Sequence, residues 1–332
     1  MWSWAEIDLN RIGWNLKQIR SLVGNVKIIA VVKANAYGHG LVEVARYLED
    51  KADMLAVASL EEAVELRRAG VKAPILNLFP IAPDEAEGVV DWDVTQAVDG
   101  IGICRELSRC GLDRGKRVKI HLKVDTGMNR TGVWHEEAAR LAELISSLPN
   151  LDLEGVFTHF ASADDPDPKF TLLQLNRFRE VLDRLEARGI RPPLVHAANS
   201  AAILAYPEMA FNAVRPGLIL YGVSPADHLA GKLDLKPALT WKSRVIRVRE
   251  VEAGRPVGYG CAYRTLRRSK IAVIRAGYAD GYSWRLSNCG KVLIRGREAP
   301  IVGRVCMDPV SYTHLRAHET EADLVCRLLL EK

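Results

Sequence analysis

The chain has 332 residues, 48% of them hydrophobic and 26% charged, enough for one large domain and a smaller one with an ordinary globular balance. Its 46 cationic and 41 anionic residues are interspersed and leave a formal net charge of +5, which excludes the basic stripe of a nucleic-acid binder. No apolar run approaches the ~20 residues that span a bilayer, and the opening MWSWAEIDLN lacks the regions of a signal peptide.

In chain order, residues 1–10 carry a strand-like WAEIDL, expected to join a β domain supplied by the far end of the chain. A helix follows. From there to about Gly222, short β-rich runs alternate with amphipathic helical runs. Strands are predicted at 28–32, 54–58, 74–79, 93–98, 118–124, 153–158, 193–197 and 213–219. Helices are predicted between them, as in SLEEAVELRRAG and FTLLQLNRFREVLDRLEARG. In the second, apolar residues at 172, 175, 178, 181, 182 and 185 make a helical stripe. Eight such units predict an α/β fold with an N-terminal (β/α)8 TIM-type barrel over residues 11–225. An open doubly wound sheet is the competitor, weakened by the lack of GxGxxG after the first strand.

After Gly222, PALTWKSRVIRVREV, KIAVIRAGYADGY and KVLIRGREAPIVGRVCMD read as strands and turns, a mainly β domain over 226–308. From Pro309 the sequence PVSYTHLRAHETEADLVCRLLLEK breaks that pattern. Residues 309–332 are expected to be a non-native tail ending in an amphipathic helix, with the β domain left incomplete. Six cysteines, at 104, 110, 261, 289, 306 and 326, show no paired or zinc-binding spacing. They are expected to be free thiols in a cytoplasmic protein.

In a TIM-type barrel the chemistry sits at the C-terminal ends of the strands. IIAVVKANAYGHG ends its strand on Lys33, with Tyr37 just beyond. A strand-end lysine either snorkels to solvent or is held for chemistry, since burying its charge is costly. Lys123, Asp125 and Arg130 follow the fifth strand, His159 the sixth, His196, Asn199 and Ser200 the seventh, and Arg215 and Gly217 the eighth. Taken singly, His159 and His196 also read as hydrogen-bonded structural histidines, and Asn199 or Ser200 as a helix cap. Taken together, the loops after strands seven and eight suit a phosphate. With a lysine and two arginines nearby, the set describes a pyridoxal phosphate site.

AVVKANAYGHG, KVDTGMNRTG, THFASAD, HAANSAA, VRPGLILYG, GYGCAY, GYADGY and APIVGRVCMD together resemble the bacterial alanine racemase family, from Trp4 to Asp308. The resemblance implies a pyridoxal 5'-phosphate enzyme interconverting L- and D-alanine by two opposed bases. It also implies a homodimer with shared active sites, no membrane or nucleic-acid partner, and D-alanine destined for peptidoglycan. Lys33 matches the cofactor lysine and one base, and Tyr259 the opposite base, offered across the dimer. Arg130 matches the arginine on the cofactor's phenolic oxygen and the substrate, and Arg215 the one facing the ring nitrogen. His159 matches the histidine linking that arginine to the tyrosine. Tyr37, Ser200 and Gly217 match phosphate contacts, with Asn199 in the same motif. Tyr278, Met307 and Asp308 match residues of the access corridor and substrate carboxylate, and Lys123 matches a lysine often carbamylated in the family. Broad-specificity or serine racemisation on the same fold, or cofactor binding without catalysis, are the alternatives. A chain departing from the family after Asp308 is expected to have a weakened dimer interface and reduced or no activity.

Overall fold

The computed structural model describes residues 2–308, 310–313 and 325–328. Two compact units divide the chain. One is Asp8–Ala238, and the other joins the N-terminal strand to the chain from Leu239 onward. Residues 8–10 and 226–238, read above with the β domain, therefore belong to the barrel unit. Asp8 caps the first helix, Leu9–Val23, by accepting from the Asn10 and Arg11 N–H groups. Leu229 and Ala238 are buried in the barrel's outer core.

The barrel strands are Lys27–Val31, Met54–Val57, Ile75–Asn77, Thr95–Val98, Val118–Asp125, Leu151–Phe157, Leu194–His196 and Ala213–Val214. Each pairs in parallel with its neighbours, and the eighth closes on the first. The strands are nearly continuous apolar runs because both of their faces are covered. Successive side chains alternate between those faces. Ile28, Ala30 and Val32 join the layer shared with the helices, whereas Ile29 and Val31 join Met54, Leu76, Ala97 and Phe157 in the interior. Carried on by two residues, the interior rows 29–31, 121–123, 155–157 and 213 arrive at Lys33, Asp125, His159 and Arg215.

The helix Lys169–Glu186 buries Thr171, Gln174, Leu175, Phe178, Val181 and Leu185. Leu172, expected in the buried stripe, is 41% exposed. The difference has a polar cause. Gln174 turns inward to donate to the Thr126 hydroxyl and the His159 carbonyl, and it accepts from Ala161 N–H. One helix face is thereby committed to loops that carry the interior rows.

The second unit is built on antiparallel pairings, with the strand Leu239–Val251 at its centre. Ser3–Ile7 pairs with Leu239–Ser243 of that strand. The expected break after Asp308 needs correction. Val310–Thr313 pairs with Ser269–Ile274, and Val325–Leu328 pairs with both Arg244–Lys242 and Val292–Ile294. VSYT and VCRL carry the β-branched and aromatic residues that suit a pleated surface. The rest of the expected tail helix lies outside the described residues. Cys104, Cys110, Cys261, Cys289 and Cys306 are free thiols. The Cys326 side chain is outside the description. No described helix is long and apolar enough to cross a membrane.

Asn15 ties the end of the barrel segment to its first helix. Fully buried, it donates to the Leu220 and Lys236 carbonyls and accepts from Lys236 N–H. Each such bond contributes about 1 kcal/mol net, so Asn15→Ala is expected to lower stability by about 3 kcal/mol. Urea unfolding followed by tryptophan fluorescence measures it, and a loss under about 1 kcal/mol would contradict this role.

Candidate active site

At the C-terminal ends of the barrel strands lies a cavity of about 280 Å³. Lys33, Tyr37, Lys123, Arg130, His159, Asn199, Ser200, Arg215 and Gly217 all line it. Sequence reasoning named every one of these. It missed Phe79, Phe157 and Asp164, which line the same space.

The residues after Lys33 form a left-handed turn, with φ of 53°, 54°, 52° and 55° at Ala34, Asn35, Ala36 and Tyr37. Each costs about 1–2 kcal/mol for an L-residue, so the turn needs external support. Glu62 supplies it. One carboxylate oxygen accepts from Ala34 N–H at 2.6 Å and Asn35 N–H at 3.4 Å, and the other from Ala58 N–H at 2.8 Å. The sequence SLEE reads as an ordinary capping box, in which Glu62 would turn back on Ser59. That local signal hid its longer reach. Asn35 accepts from Leu41 N–H, and the Tyr221 hydroxyl donates to the Val31 carbonyl from beneath.

Four cations share the cavity. The Lys33 and Lys123 ammonium groups and the Arg130 guanidinium lie 5.2, 5.0 and 5.2 Å from the centre of the Phe79 ring. The Arg215 guanidinium lies 5.2 Å from the Phe157 ring. Aromatic faces partly offset the repulsion. Burial, followed by the Arg130 charge, lowers the Lys33 pKa, and Glu62 opposes the fall. Burial and Arg130 push Lys123 down to about 8. Its amine also donates to the Thr131 hydroxyl.

Arg215 is 3% exposed and bonds to no carboxylate among the described residues. One of its terminal nitrogens donates to His196 Nδ1 at 2.6 Å. The other reaches the Thr158 and Ala197 carbonyls at 2.7 and 2.9 Å and His159 Nδ1 at 3.2 Å. A guanidinium is donor-only, so His196 accepts through Nδ1 and carries its proton on Nε2, while His159 faces the guanidinium with Nδ1 and the Asn199 amide nitrogen with Nε2 at 3.5 Å. Burial, reinforced by the Arg215 charge, holds both well below the usual imidazole range. His159 lines the cavity, whereas His196 is fully buried behind it and reaches it only through Arg215.

Across the cavity, the Gly217 N–H donates to the Ser200 hydroxyl at 2.9 Å, and Asn199 caps the helix Ser200–Ala205 through Ala202 N–H. A Cβ on Gly217 would sit 2.5 Å from the Tyr37 hydroxyl. The absent side chain leaves a small cradle lined by two hydroxyls and a backbone.

Tyr259, Tyr278, Met307 and Asp308 belong to the other unit. Tyr259 is 73% exposed on a turn flanked by Gly258 and Gly260, at φ 71° and 68°. Tyr278 N–H donates to the Cys306 carbonyl, and Ala279 N–H to that of Met307.

Glu62→Gln keeps an acceptor for the turn and removes the charge that raises the Lys33 pKa. The pH midpoint for reductive methylation of Lys33, read by mass spectrometry, is expected to fall in the variant. An unchanged or higher midpoint would count against it. His121, His159 and His196 are all held below the ordinary 6.5 by burial. Unfolded, they bind protons that the folded state refuses. Their contribution is therefore present above about pH 6.5 and lost as pH falls below it. Urea midpoints are expected to drop between pH 7.5 and 5.5, and a flat profile would contradict this.

Residues 7–225 match the family description "Alanine racemase, N-terminal domain", and residues 238–326 match "Alanine racemase, C-terminal domain". An alanine racemase of Desulforamulus reducens is 49% identical over 310 residues, covering 92% of this chain and 84% of that protein. One of Halothermothrix orenii is 46% identical, covering 93% and 82%. Among solved structures, an alanine racemase of Clostridium difficile 630 superposes with a TM-score of 0.92 at 37% identity, covering all of this chain and 88% of the other. That of Streptomyces lavendulae gives 0.91 at 35%, covering 99% and 87%. The chain belongs to the alanine racemase family.

Proposed function

We propose that the protein interconverts L-alanine and D-alanine with pyridoxal 5'-phosphate, as a cytoplasmic homodimer whose product serves peptidoglycan synthesis. The observation that carries this reading is the partly desolvated Lys33 amine in a cavity of four cations, with a side-chain-free cradle at Gly217. The residues fit the cofactor. Tyr37, Ser200 and Gly217 would hold its phosphate beside the Asn199-capped helix, Arg130 its phenolic oxygen, and Lys33 its aldehyde carbon. Bound there, the cofactor supplies an electron sink for charge developing at the substrate Cα.

Lys33 moves the proton at one face of that carbon. Burial favours its neutral amine, the form that accepts a proton. Tyr259 of a partner subunit serves the other face, and its exposure on a braced turn suits a group offered to a second copy. Arg130 orients the substrate carboxylate. Arg215 remains cationic at neutral pH even though burial lowers its pKa to about 9. It therefore gives no proton to its end of the cavity, which restrains charge spreading into the ring and suppresses side reactions. His159 relays position between Arg215 and the tyrosine. Tyr278, Met307 and Asp308 line the approach of the substrate, and Lys123 is the site for carbamylation.

The test is exchange of the alanine α-proton in deuterium oxide by the cofactor-loaded protein. The wild type is expected to exchange both enantiomers. Tyr259→Phe is expected to keep exchange of D-alanine, which uses Lys33, and to lose that of L-alanine by at least ~100-fold, the usual scale for a general base. Equal loss of both, or of neither, would overturn the two-base reading.

A further inference from the structure

The hydrogen bonds of Arg215 do not stop at His196. His196 carries its proton on Nε2, and that atom lies 2.9 Å from His121 Nδ1. His121 accepts there, so its own proton is on Nε2, 3.3 Å from a carboxylate oxygen of Glu154. The other Glu154 oxygen meets the Lys119 ammonium at 3.0 Å, and Lys119 is half exposed. Both imidazoles are fully buried. The guanidinium has no acceptor and the ionised carboxylate no donor, so the chain admits a single direction, from Arg215 to Glu154.

The barrel is shaped to hold this chain. A register irregularity between Ile120 and His121 interrupts the pairing of the fifth and sixth strands. A Cβ on Gly155 would lie 2.7 Å from the His121 ring, so only glycine admits it. Phe157 stacks on His196 at 4.8 Å and 10°. The hydrogen-bond chain leads from the cavity toward the N-terminal ends of the strands, the end whose residues ordinarily serve stability rather than chemistry.

We propose that His121 and Glu154 are positioning residues for Arg215, fixing through His196 the orientation and donor pattern of the guanidinium that faces the active-site cavity. With Glu154 lost, His121 is free to move its proton to Nδ1. His196 then meets a donor on its Nε2 side and another from Arg215 on its Nδ1 side, and the guanidinium must shift. The effect on catalysis rests on the racemase reading, while the proton positions do not.

The test is 15N NMR of histidine-labelled protein without cofactor, followed by kinetics of the loaded enzyme. Wild-type His121 and His196 are expected as Nε2–H tautomers. Glu154→Gln, which keeps a neutral acceptor, is expected to preserve both and most of kcat. Glu154→Leu is expected to populate Nδ1–H at His121, to lower kcat about tenfold with KM little changed, and to raise the fraction of turnovers lost to transamination. An Nδ1–H tautomer at either wild-type histidine overturns the proposal, even if Glu154→Leu fails to fold. Equal behaviour of the Leu and Gln variants also overturns it. A wild type with the expected tautomers and no turnover would instead count against the racemase reading.

Discussion

The structure is organised around one electrostatic difficulty: four cations held in one partly desolvated cavity. Isolated charges of one sign are costly away from water. Here the cost is offset by the surroundings. Phe79 and Phe157 present ring faces to the cations. Glu62, which accepts from the Ala34 N–H next to Lys33, raises the proton affinity of Lys33 against the trend. The neighbours of Arg215 are neutral acceptors, two carbonyls and two imidazoles. A carboxylate in their place would neutralise the guanidinium and with it the attraction for an anionic ligand. The arrangement leaves positive charge for something that arrives from outside.

The barrel makes this arrangement possible because it is stiff where the cations emerge. In the first and sixth strands, period-two alternation carries the interior row from side chains without charge to one polar residue at the mouth. Ile29 and Val31 lead to Lys33, and Gly155 and Phe157 lead to His159. The left-handed turn after Lys33 is held by Glu62, which accepts from the Ala34 and Asn35 N–H groups, and by the Asn35 side chain, which accepts from Leu41 N–H beyond it. Local strain beside Lys33 is thus maintained by contacts that the barrel frame provides.

Much of this was legible in the sequence. Seven of the eight strands fall near their predicted ranges because buried parallel strands read as short apolar runs, whereas the eighth, predicted over 213–219, is only Ala213–Val214, and Leu218–Tyr221 turns as a 3-10 helix instead. The cavity residues cluster in motifs at strand ends, where the fold puts its chemistry. Other features were not legible, for identifiable reasons. Glu62 sits in a pattern that also reads as a capping box, and nothing local points to its reach to the Ala34 and Asn35 N–H groups. Phe79 and Phe157 look like core. His121 precedes Lys123 by two residues on the same interior face, a signal available once the strand register is known, but nothing marks Glu154 as its partner. Leu172 was assigned to a buried face that Gln174 takes instead, since hydrogen bonding to the His159 loop outweighs one apolar contact. After Asp308 the composition suggested an end to the β pattern, yet VSYT and VCRL pair with strands far away in sequence, and such non-local pairing leaves little local trace.

The most direct test of the account is the identity of the lysine that captures the cofactor. Pyridoxal phosphate would be added to the protein, the adduct reduced with borohydride, and the labelled peptide mapped. Lys33 and Lys123 lie in one cavity, each with its pKa lowered by burial, and at nearly the same distance from the Phe79 ring. Lys33 differs by standing on the Glu62-braced turn beside the Tyr37–Gly217 cradle. The account predicts label on Lys33 alone, lost on Lys33→Ala. Label on Lys123, or on both equally, would contradict it.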